Sequence, residues 1–226
     1  MNPPFGLTQL QFAMIVAGAV VLALSGFFGA RTYLLRRRDA RRVERVTSGA
    51  ADYLRNVLVP DGNGGDYHLD FVLLTSRGVV IIDMRDIAGN VFGGDQMTDW
   101  TLMDGPRRRT FVNPQSGLYD RIASVKAIAN DVPVEGRIVF TRRAKFPKGL
   151  PRFTVMLESI AAEFPKLGAA ELEIAVSRYR PGWARIKEVC KPSPHWRATR
   201  LPLPESNCGP DPPSSGHNFP PSPFLE

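Results

Sequence analysis

The sequence predicts an α/β protein: a mixed β-sheet flanked by helices and preceded by a single transmembrane helix. Three observations carry this. A charge-free apolar stretch runs from Phe12 to Ala30. Two β-branched apolar runs between Asp66 and Arg85 flank a short turn signal, the pattern of a β-hairpin. Segments with helical spacing then alternate with further short apolar runs, as at 114–130 and 136–141. With 226 residues the chain suits one domain of ordinary size plus appendages.

The N-terminal stretch is built from Ala, Val, Leu, Ile, Phe and Gly, and its length matches the hydrocarbon thickness that a helix crosses. A buried core helix is the alternative. It fits poorly, because the stretch lies at one end of the chain and is followed at once by arginines. The segment before it, Met-Asn-Pro-Pro-Phe-Gly, has no Lys or Arg and so lacks the basic region of a cleaved signal peptide. Residues 31–45 hold seven arginines against Asp39 and Glu44, which accounts for five of the +7 formal net charge. The basic character is therefore one local run, better suited to setting topology and meeting lipid headgroups than to a DNA groove. By the positive-inside rule the N-terminus lies outside and the rest in the cytoplasm, with single-pass placement in the inner (cytoplasmic) membrane. This divides the chain into a short segment 1–11, a transmembrane helix 12–35, a basic juxtamembrane segment 36–46, a domain 47–190 and a tail 191–226.

From Arg42 to Leu58, apolar residues at Val43, Val46, Ala50, Leu54, Val57 and Leu58 recur at helical spacing, with Asp52 beside the stripe. Pro60-Asp-Gly-Asn-Gly-Gly is a turn cluster. No Lys-Ser/Thr and no helix follow it, which excludes a phosphate loop. In the hairpin, polar side chains gather at one end: Asp70 on the first strand, Asp83 and Arg85 on the second. With the turn at Arg77-Gly78, Asp70 lies opposite Arg85, and Asp83 sits two residues along on the same face. Two carboxylates and a guanidinium at the mouth of an apolar hairpin are costly unless paired or used.

Short strands are expected at 90–93 and 100–103, with a turn at Asp104-Gly105 and a solvated loop at Arg107–Arg109. Asn113-Pro114 opens a helix, Asn as N-cap and Pro in the first turn, with Leu118, Ile122, Val125 and Ala129 on its apolar face. Strands at 136–141 and 153–157 and helical pieces within 157–164 and 169–179 follow. From about Pro192, Pro, Ser, Gly and Asn dominate and periodicity is lost, the composition of a disordered tail. His68, His195 and His217 have no metal-ligand spacing, so a zinc site is not expected. No Gly-x-Ser-x-Gly elbow and no internal repeat occur. Cys190 and Cys208 lie in a poor context for a disulfide framework.

The order of these features resembles the NERD domain (nuclease-related domain), a relative of the PD-(D/E)XK nucleases. The matching pieces are Leu69-Asp70-Phe71-Val72-Leu73-Leu74-Thr75, Gly78-Val79-Val80-Ile81-Ile82-Asp83-Met84-Arg85, Gly89-Asn90-Val91-Phe92-Gly93, Trp100 and Asn113-Pro114, within about Thr47 to Thr141. The resemblance implies a restriction-endonuclease-like mixed sheet, a divalent metal (Mg²⁺) held by acidic residues, and phosphodiester hydrolysis of DNA or RNA. It places Asp52 where the family has a helix Glu, Asp70 at the strand Asp, Asp83 at a usual Glu and Arg85 at a usual Lys. Asp70 and Asp83 are then the metal ligands, with Asp52 a third acidic partner. Arg85 keeps a cation but cannot transfer a proton, and the family's Gln after Asn-Pro falls on Gly117. The alternative is a catalytically degenerate module that binds nucleic acid or a protein partner at the bilayer.

Overall fold

The computed structural model describes residues 9–164 and 166–194. The expected tail and Cys208, His195 and His217 lie outside these, save for the tail's first residues. The apolar stretch and the basic run form one continuous helix, α1 (Gln9–Thr47). Its span from Ala17 is long and apolar enough to cross a membrane, and none of its most apolar window is buried against the rest of the chain. That exposure removes the core-helix alternative.

The helix expected through Leu58 stops at Thr47, and 50–60 is instead a strand, β1 (Ala50–Pro60). Gly49 sits at the break, so close to its neighbours that a Cβ there would meet the Phe164 carbonyl oxygen at 2.4 Å. Beyond it, nine residue pairs with β2 (Asp66–Thr75) outweigh the local helical spacing. Asp52 therefore lies on a strand, not on a helix.

The expected hairpin forms from β2 and β3 (Gly78–Arg85), with register from Phe71–Ile82 to Thr75–Gly78. The turn is Ser76-Arg77, one residue earlier than expected. Continued by one step, this register sets Asp70 beside Asp83, with Arg85 on the diagonal. The displacement is even, so all three still share a face.

Next come β4 (Gly89–Phe92), β5 (Asp99–Asp104) and β6 (Arg107–Val112). Arg107–Arg109 thus belong to an exposed edge strand rather than a loop. Asn113 caps α2 (Pro114–Ile128), its side chain accepting the Gln115 N–H at 2.9 Å. Then follow β7 (Val134–Phe140), β8 (Ala144–Lys145), β9 (Thr154–Met156), α3 (Ile160–Glu163), α4 (Ala169–Ser177), α5 (Arg180–Val189) and β10 (Lys191–Pro192).

The main sheet has the order β10-β1-β2-β3-β7-β9, and a smaller one the order β6-β5-β4-β8. The main sheet is mixed: β3 pairs antiparallel with β2 and parallel with β7. Both faces of β2–β3 are covered, as their unbroken apolar runs require. On one face Val72, Leu74, Val79, Ile81 and Ile138 meet α2, α5 and Trp100 of the small sheet. On the other, Phe71, Leu73, Val80 and Ile82 meet Val46 of α1 and Ile160 of α3.

Candidate metal and phosphate site

The pairing of β2 with β3 ends at Phe71–Ile82, while β3 runs on to Arg85 paired only with β7. The two strands part there, and the Asp70 side chain fills the gap. Its Oδ2 accepts the Met84 N–H at 2.7 Å, replacing the lost ladder bond. Asp83 points to the same side and is 7% exposed. Its Oδ2 accepts from the Arg85 guanidinium at 2.8 Å and lies 3.7 Å from an Arg121 nitrogen. Arg121, on α2, also donates through Nε to the His68 carbonyl at 3.0 Å. His68 Nδ1 stands 3.7 Å from Asp70 Oδ1.

Among the described residues, two buried side-chain polar atoms lack a hydrogen-bond partner, His68 Nε2 and Arg85 Nε. Both belong to this cluster. Water or a ligand can satisfy both atoms.

Burial pushes the Asp70 carboxyl above the usual carboxylate range, and the neighbouring Asp83 charge pushes it further. The Met84 N–H, His68 and Arg85 oppose this without cancelling it. A raised folded pKa means that the native state favours the protonated acid. Its contribution to stability is full below the unfolded pKa and is lost as pH rises through the folded value. Asp70→Asn keeps an acceptor for Met84 but never ionises. Its melting temperature relative to the parent is therefore expected to climb between pH 4 and pH 7, as thermal melts at stepped pH will show.

Of the four residues expected to form the site, the structure brings together Asp70, Asp83 and Arg85. Asp52 stands apart, opposite Leu74, four residues along the strand from Asp70, or about 13 Å. It accepts from Trp183 Nε1 at 2.8 Å and Lys187 Nζ at 3.1 Å. Burial works against its charge, but the bonds from Trp183, Lys187 and the Tyr53 N–H win and hold its pKa below the usual range. Its role here is to dock α5. Arg121 went unread in the sequence although a signal was present: it lies three residues after Leu118 and four before Val125, a charge on an apolar helix stripe.

Asp86, next after Arg85, is bonded by Arg42 of α1 at 2.9 Å and by Thr141 at 2.8 Å. The apolar helix is thus joined to the domain one residue from the cluster by a solvent-exposed ion pair.

A mixed sheet flanked by helices, with facing carboxylates and cations where the central antiparallel pair parts, defines a nuclease-like α/β fold. Residues 36–141 match the family model NERD, the nuclease-related domain. The match begins inside α1 and ends at Thr141, whereas the sheet is completed by later elements up to Pro192. No curated protein and no solved structure matches the chain.

Proposed function

We propose that the protein is a membrane-anchored, Mg²⁺-dependent nuclease acting on DNA or RNA in the cytoplasm. The observation that carries this is the facing pair Asp70 and Asp83 at the parting of β2 and β3. They supply hard oxygen donors, and a divalent cation offsets both the burial and the Asp83 charge that raise the Asp70 pKa. Among the described residues no group of three or more His, Cys, Asp or Glu gathers as a metal site. The remaining positions would go to water and substrate phosphate oxygens, as is usual for Mg²⁺. Bound there, the ion would polarise the phosphodiester and acidify an attacking water.

The Arg85 guanidinium stabilises negative charge developing on the phosphate. It does not move a proton, so that task falls to solvent or to the substrate itself. The arginines that follow the apolar span support a cytoplasmic domain.

A second reading, a NERD module that binds nucleic acid or a protein partner without cutting, draws support from Asp52. With that acid committed to Trp183 and Lys187, the site lacks its third carboxylate. The two readings part on one assay. The full chain in detergent, offered single- and double-stranded DNA and RNA, is expected to cut with Mg²⁺ or Mn²⁺. Asp83→Asn is expected to lower the rate about a hundredfold or more. No cutting with either metal, and no rise in melting temperature on metal addition, would leave the binding module standing.

A further inference from the structure

We propose that Arg121 is an internal counter-cation that holds the Asp70–Asp83 pair closed to a divalent metal until a substrate phosphate draws its guanidinium away. Metal and phosphate then bind cooperatively. The inference rests on the metal-site reading above and adds a residue that the family resemblance does not supply.

The geometry is specific. Arg121 is anchored by Nε to the His68 carbonyl, and its terminal nitrogen turns towards Asp83 Oδ2 at 3.7 Å. That distance is an ion pair without a tight hydrogen bond, whereas Arg85 holds the same oxygen at 2.8 Å. The guanidinium also lies over Gly117, one helical turn earlier, where an added Cβ would stand 2.9 Å from its NH1. Glycine at 117 therefore makes room for this arginine. The Arg121 side chain keeps 22% exposure.

Charge balance supplies the coupling. Two carboxylates and two guanidinia leave the cluster neutral when His68 is uncharged. A dication entering alone makes the partly buried cluster doubly positive and meets two nearby cations. A phosphodiester entering with it removes one of those charges. It also offers Arg121 a fork-shaped acceptor better matched to guanidinium than one distant carboxylate oxygen. Each ligand thus raises the affinity for the other, and the linkage is reciprocal.

The test is Mn²⁺ binding by titration calorimetry on the full chain in detergent, with and without a thymidine decamer carrying phosphorothioate linkages. For the parent chain, the decamer is expected to tighten Mn²⁺ binding about tenfold. Arg121→Gln is expected to bind Mn²⁺ about tenfold more tightly than the parent without the decamer, and to gain little from adding it. Gly117→Ala retains the arginine but crowds its head, and is expected to shift Mn²⁺ affinity in the same direction. This covers the case in which losing the His68 contact unfolds the glutamine variant. Arg121→Lys, which keeps the charge, is expected to restore weak binding. Asp83→Asn, which removes a ligand, serves as the site control. Equal Mn²⁺ affinity in the parent, Arg121→Gln and Gly117→Ala would overturn the inference while leaving the metal site intact. An effect of the decamer that persists in both variants would do the same. No Mn²⁺ binding in any chain, with or without the decamer, would overturn the metal-site reading and this inference with it.

Discussion

Replacing Trp183 with alanine is expected to lower the unfolding free energy by about 3–5 kcal/mol, the range for deleting a buried aromatic side chain. Trp183 is 1% exposed and packs in the larger core between α5 and the sheet. Its neighbours have little room to collapse into the space left behind. At Gly182, next in sequence, an added Cβ would stand 2.3 Å from the Val132 side chain. The substitution also takes the indole N–H from Asp52, whose charge depends on that bond. Trp183→Phe separates the two contributions: it keeps most of the packing and loses the hydrogen bond, for about 1–2 kcal/mol. Thermal and urea melts of the two variants against the parent measure the difference. The companion result concerns function. Asp52→Asn is expected to leave metal binding unchanged where Asp83→Asn abolishes it, because Asp52 serves α5 and not the cluster.

Asp52 also shows where the sequence stops being informative. Its partners are 131 and 135 residues away along the chain, and nothing local to 42–58 announces them. The same window misled on secondary structure. Val43, Val46, Ala50 and Leu54 keep helical spacing across Gly49, and only the contact of Gly49 with Phe164 and the long pairing with β2 decide for a strand. The hairpin was legible for the opposite reason. Its runs are apolar on both faces, its turn is short, and its charges cluster at one end, all within twenty residues. Even the misplaced turn kept Asp70, Asp83 and Arg85 together, since an even slip preserves the face. What the slip changed is the chemistry. Asp70 faces a like charge instead of a guanidinium, which adds to burial in raising its pKa. Arg121 required the crossover through α2, which no strand pattern specifies. Cys190 is a smaller case. Burial pushes its thiol up to about 11, which disfavours the thiolate.

Removing the Asp83 carboxylate altogether is expected to have the second large effect. Asp83→Ala should cost about 3 kcal/mol, near the lower end of the range for breaking a buried ion pair. The carboxylate serves Arg85 and Arg121 at once, and the three side chains are 9%, 26% and 22% exposed. Without it, two partly buried guanidinia lose their shared counter-ion, and Arg85 Nε already lacks a partner. The cost stays at the lower end because Asp70, released from its like-charged neighbour, ionises more readily and takes up part of the pairing. Salt distinguishes this from a surface effect: an exposed pair contributes at most about 1 kcal/mol and fades with ionic strength, whereas this difference should persist at high salt. Adding Arg85→Ala to Asp83→Ala should then cost less than the sum of the two single changes, since the second removes a cation already stranded. Non-additivity of this kind marks charges that compensate one another and contribute little net stability to the fold. The cluster's position at the parting of β2 and β3 then argues for a ligand as the reason its charges are there.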